Sequence, residues 1–179
     1  MKTKIVTLLF LTVFAIQLNA QNEQQKWTAG VSIAGAKYSL DGGLVVGGQL
    51  ANQSPRLNIS RHIYKGLILD AGFATAIGDK QDYTTFDGTL RYDFGKSREN
   101  VVPYLLIGGS FISAAKVTPT ANFGGGTTFW FNSKYGLNLQ VMYKFSQSEF
   151  ESQRSHLYPS VGLVYSFSNR SYNQRIWQD

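Results

Sequence analysis

Ser60 and His62 lie two residues apart, a spacing that puts both side chains on the same face of an extended strand. A serine and a histidine make a hydrolytic pair only when nucleophile and base come within hydrogen-bond reach and a third group orients the base. No motif of that kind surrounds either residue, and the other histidine, His156, is distant in sequence. A structural histidine near a strand end is the better reading. With two histidines and no cysteine, a transition-metal site is not expected. Asp79 and Asp82 could hold a cation weakly, although solvated loop acids are commoner. Gly124-Gly125-Gly126 lacks the lysine and helix that follow in a phosphate loop; close strand packing or a bulge explains it better. The expectation is no catalytic residue, no metal and no cofactor.

A second set of residues carries charge: Arg56, Asp70, Asp87, Arg91, Asp93 and Lys144. Each sits on the polar side of an alternating stretch, so the elements that hold them are strands. The alternation recurs eight times, over 27–34, 56–63, 67–77 and 85–94, from Pro103 onward, and over 123–131, 137–145 and 157–167. The seventh stretch is the clearest. There Leu137, Leu139, Val141, Tyr143 and Phe145 oppose Asn138, Gln140, Met142 and Lys144. In the fourth, Phe86, Leu90, Tyr92 and Phe94 oppose Asp87, Thr89, Arg91 and Asp93. Ile68 interrupts the third, and the glycine-rich sixth leaves its facing open. Short turns around Lys65-Gly66, 95–100 and 133–136 alternate with mostly longer polar or glycine-rich loops, the first spanning Tyr38 to Ser54.

The chain opens with an address. Lys2 and Lys4 precede an apolar run of twelve residues, Ile5 to Ile16, and then a polar stretch ending at Ala20. Charge, greasy run and small residue in that order describe a cleavable signal peptide over residues 1–20. A transmembrane helix is the rival, but spanning needs about 20 apolar residues. The 17 Lys and Arg against 11 Asp and Glu give +6, of which two cations belong to that leader. The remainder are scattered without a basic run, which argues against nucleic-acid binding. Aromatics at 14%, eighteen glycines and a mean hydropathy of −0.16 suit an all-β chain with one polar face.

Alternation fits a membrane barrel and a soluble barrel or sandwich equally, so the decision rests on what each face contains. A soluble eight-stranded barrel fills its narrow interior with large apolar side chains. Here the bulky face carries Trp27, Phe73, Phe86, Tyr92, Phe94, Phe111, Tyr143, Phe145, Tyr165 and Phe167. The opposite face is mainly glycine, small polar residues and charges. Placing Arg91 or Lys144 against lipid near the midplane would cost about 2–4 kcal/mol each. The expectation is therefore an eight-stranded antiparallel up-and-down transmembrane β-barrel over 21–167, apolar face outward, with the six charges paired in its lumen.

The last strand carries a more specific pattern. Ser160, Gly162, Tyr165 and Phe167 resemble the C-terminal assembly signal of outer-membrane proteins, which the barrel-assembly machinery recognises. The whole of 21–167, including Pro103–Gly109 and the turn 133–136, resembles the OmpA/OmpX-type barrel superfamily. Only a short periplasmic tail, 168–179, is expected after it, so the resemblance carries no wall-anchoring domain. Its Arg170, Tyr172, Arg175 and Trp177 are open to docking a periplasmic partner or to fraying.

That resemblance implies a Gram-negative outer-membrane location, contact with outer-membrane lipid, and a non-enzymatic structural or interaction role that displays surface loops. Association with other envelope proteins stays open. A narrow channel for ions or small solutes is the first alternative. Lipid modification by a serine–histidine pair is the second; in such barrel enzymes those residues face lipid, whereas Ser60 and His62 fall on the lumen side.

Overall fold

The computed structural model describes residues 27–38, 50–77, 83–94, 99–113, 116–147 and 154–169, with 50–54 by backbone alone. The expected leader at 1–20, Asp79 and Asp82, and the four tail residues named above lie outside the described residues.

Eight strands follow one another: β1 (Trp27–Tyr38), β2 (Leu50–Tyr64), β3 (Leu67–Thr75), β4 (Thr84–Asp93), β5 (Val101–Ser113), β6 (Val117–Trp130), β7 (Tyr135–Phe145) and β8 (His156–Ser166). Each pairs antiparallel with its neighbour, and β8 returns to β1. The result is the closed antiparallel barrel that the alternation predicts. Closure matters because hydrocarbon offers no partners to an unpaired sheet edge. No helix among the described residues is long and apolar enough to cross a membrane.

The tilt of the strands can be followed through the register. From Trp27 the Cα partners run Arg61, Leu69, Leu90, Ile107, Phe123, Tyr143 and Leu157, and return to β1 at Lys37, ten residues further along. A stagger of ten in eight strands corresponds to a tilt of about 40–45°. Each such row therefore climbs from the end with the short turns to the end with the loops. Ile107, four strands along this circuit, marks mid-height.

Several strands run further than their alternation suggests. β1 continues to Tyr38 and β2 begins at Leu50, so both ends of the expected first loop are sheet. Lys37 pairs with Leu50 and Ala34 with Gln53, across a register shift between Ser32 and Ala34. Asn, Gln, Ser and Pro read as loop residues locally, but partner strands impose the pairing there. β6 likewise begins at Val117, with Thr118, Thr120 and Asn122 buried inward. At the turn end, Lys65 (φ 37°) and Gly66 (φ 86°) make the two-residue hairpin between β2 and β3.

Side chains sort by parity. Ile107, Phe111, Leu105, Val117 and Leu163 on the outer wall are each about 60% exposed. Aromatic pairs edge this belt. Tyr92–Phe94, Tyr135–Tyr165 and Tyr165–Phe167 lie at the turn end, with ring centroids 5.1, 5.2 and 5.4 Å apart. Phe73–Phe86 and Phe123–Tyr143 lie further toward the loops, at 5.0 and 5.2 Å. Rings at strand ends with aliphatic residues between them are the arrangement of a membrane-spanning barrel.

Glycine lets the strands approach closely. A Cβ on Gly108 would run into the carbonyl oxygen of Gly88 and the backbone of Thr89 on β4. Gly108→Ala is expected to cost about 1–3 kcal/mol through that overlap. A drop in the urea midpoint of the folded protein checks this, and an unchanged midpoint would refute it.

Candidate functional site

The lumen holds the six charges, and the register divides them into two groups. Toward the turn end, Arg91 and Asp93 pair on one strand, with the Arg91 Nη2 2.9 Å from Asp93 Oδ2. The Arg91 guanidinium also lies over the Tyr104 ring, 3.9 Å from its centroid. Nearby, the Tyr104 hydroxyl has Asn138 Oδ1 and Gln140 Oε1 each within 3.1 Å, and it accepts from Asn138 Nδ2 at 2.9 Å. Asn138 also donates to Thr128 at 3.0 Å. Val102, Trp130 and Val164 close this end beneath them.

The other four charges form one connected cluster around Asp87. Lys144 on β7 reaches across the lumen to β4, donating to Asp87 Oδ1 at 2.6 Å and to Thr85 Oγ1 at 2.7 Å. Thr85 donates in turn to Asp87 at 2.8 Å. The second Asp87 oxygen takes Arg56 at 3.5 Å, and Arg56 also lies 4.0 Å from Asp70. Asp70 accepts from Ser60 and, at 3.1 Å, from Asn58. Lys144 is wholly buried and Arg56 and Asp87 nearly so, so each charge depends on the others for solvation.

The lumen is less polar than the alternation implies. Above the cluster, toward the loops, Tyr38, Tyr83, Tyr158, Ile112 and Met142 pack together. The expectation of a small-residue interior is corrected here: charges sit between aromatic layers. The reason is the stagger of the strands, which widens the barrel enough for rings to lie across it. Tyr104 and Tyr158 lie on the polar side of their strands and are bulky exceptions there. Tyr83 precedes β4 and belongs to no alternating run, so nothing in its surroundings marked it.

The serine and histidines do not assemble a nucleophile and base. Ser60 donates a hydrogen bond to Asp70, while His62 Nε2 accepts the Gly66 N–H in the turn at 3.4 Å. His156 lies at the opposite end. Its Nδ1 is 2.7 Å from the Arg154 carbonyl and its Nε2 is 2.8 Å from the Tyr83 hydroxyl. Donation from Nδ1 to that carbonyl leaves Nε2 as acceptor in a neutral ring. Burial pushes the Tyr83 hydroxyl well above the ordinary phenol range, so it remains a donor. This contact joins the β3–β4 loop to the start of β8. Among the described residues, no three acids or histidines come close enough to hold a metal ion.

The residues of the assembly pattern take contrasting positions on β8 and just beyond it. Ser160 is buried in the lumen and Phe167 is exposed on the outer wall, with Tyr165 half-buried against Tyr135 and Phe167.

The chain is similar in fold to several solved small transmembrane β-barrels. The N-terminal β-barrel domain of Pseudomonas aeruginosa OprF matches with a TM-score of 0.61 at 14% identity, covering 80% of this chain and 100% of that one. Neisserial surface protein A matches at 0.54 and 16% identity, covering 79% and 97%. Ail, the attachment invasion locus protein of Yersinia pestis, matches at 0.54 and 13% identity, covering 80% and 99%. No family model and no curated protein matches the chain.

Proposed function

From an OmpA/OmpX-type barrel fold with an ion-paired, tyrosine-packed lumen, we propose a non-enzymatic outer-membrane protein that displays its loops from a rigid wall. The observation that carries this reading is the Asp87 cluster. It ties β2, β3, β4 and β7 together across the lumen, which suits a brace better than an open passage. The short turns would then face the periplasm and the longer loops the exterior. Export by the leader at 1–20 and recognition of Ser160, Gly162, Tyr165 and Phe167 by the barrel-assembly machinery belong to the same reading. The names of two similar structures, a surface protein and an attachment invasion locus protein, support an interaction role for the loops.

Gel migration of the detergent-solubilised protein, with and without boiling, tests the barrel in solution. The unboiled band is expected to run ahead of the boiled one, and equal mobility would count against the reading. Planar-bilayer recordings test the plug. A quiet membrane is expected, whereas steady openings would favour the narrow-channel alternative. Unchanged lipid-A mass spectra in cells with and without the protein are expected, and altered species would restore the lipid-enzyme alternative.

A further inference from the structure

The outer wall is not uniformly convex. Across β6, β7, β8 and β1 it sinks into an open apolar groove of about 660 Å³. Gly35, Gly125 and Pro159 leave its wall low; Ile33, Leu139, Val141 and Val161 stand along it. The β1–β8 ladder is interrupted at the same place. It runs from Thr28–Ser166 to Ala34–Ser160 and resumes at Lys37–Leu157, skipping Gly35 and Ala36. Pro159, opposite this gap, has no N–H to contribute. The wall is thus both thin and weakly paired at the seam where the barrel closes.

Because the register rows climb toward the loops, the groove slants upward from Gly125 on β6 to Gly35 on β1. Three interstrand steps give it a length of about 14 Å. The next outward residue beyond Gly35 is Lys37, one of the few cations on the outer wall, at the loop end of β1. An apolar trough of chain-like dimensions that ends beside a lysine is complementary to one class of molecule.

We propose that this groove binds a lipid of the outer leaflet whose phosphate headgroup carries a net negative charge, with one acyl chain lying along the groove beside Val141 and Pro159 toward Gly35 and the anionic phosphate on Lys37. The proposal rests on the membrane reading above. Hydrocarbon fills the trough, and the ester and phosphate region reaches the level at which the β1–β8 ladder is interrupted. A second barrel fits less well, since a convex wall cannot enter a trough this narrow.

The test is native mass spectrometry of the full chain in detergent, titrated with dioleoylphosphatidylglycerol or dioleoylphosphatidylcholine. One phosphatidylglycerol is expected to be retained, at a concentration about five-fold lower than phosphatidylcholine requires, the effect of one lysine beside an anionic headgroup. Lys37→Gln should equalise the two lipids. Val161→Trp, which fills the trough, should weaken both, while Ile107→Trp on the far wall should change neither. Equal retention by the unaltered protein, or a preference that survives Lys37→Gln, would overturn the groove assignment. A chain whose gel mobility is the same boiled and unboiled would overturn the membrane reading with it; a folded chain without lipid preference overturns the groove alone.

Discussion

Asp87→Ala is expected to destabilise the barrel by about 3–5 kcal/mol, because it leaves buried cations without their counter-ion. Asp87 is the centre of the lumen cluster, since one carboxylate oxygen holds Lys144 and the other holds Arg56. Lys144 would retain the Thr85 hydroxyl and the faces of the Tyr158 and Tyr83 rings, 4.3 and 5.9 Å away. Arg56 would retain Asp70 at the longer distance of 4.0 Å. Lys144→Met should cost less, since Asp87 keeps Arg56 and Thr85. The double variant Asp87→Ala with Lys144→Met should recover part of the loss, as removing both partners of a buried pair is milder than stranding one. The readout is the urea dependence of the fast-migrating folded band. An Asp87→Ala midpoint equal to that of the parent would show that the lumen charges are not mutually dependent.

Ile107→Arg is the complementary experiment on the opposite surface. Ile107 is 65% exposed and stands at mid-height of the belt, so an arginine there enters the bilayer centre. The expected cost is about 2–4 kcal/mol in folding into lipid vesicles, against about 0–1 kcal/mol for Val117→Arg near the interface. The depth dependence is the informative part. In a water-soluble barrel both positions would face solvent, and neither arginine would matter. Equal, small effects at the two positions would therefore refute the transmembrane assignment.

Eight strands were legible in the chain because their side chains alternate in nature as well as in position. β7 illustrates this, since Leu137 through Phe145 place apolar and polar residues on opposite walls with Met142 as the one exception. The six lumen charges were legible for the same reason. Their division into a pair and a foursome was not. Which acid meets which cation depends on the stagger between strands, and Lys144 reaches Asp87 from 57 residues away. Strand ends were also obscure, because Ala51-Asn52-Gln53-Ser54 carries no local preference for sheet and follows β1 through pairing alone. The Tyr83–His156 contact joins two segments with no shared periodicity. The groove on the wall was invisible for a simpler reason: Gly35, Gly125 and Pro159 come from three strands, and only closure of the seam makes them neighbours.

The chord that Lys144 draws across the lumen from β7 to β4 has a mechanical result. A thin cylinder deforms most readily by flattening into an ellipse, and a short strut across its interior resists that mode. Movements at one rim are then not passed down the wall to the other. The exposed rim can change its sequence, length or bound partner while the far rim keeps its shape, and selection can act on the loops without disturbing the tube that carries them.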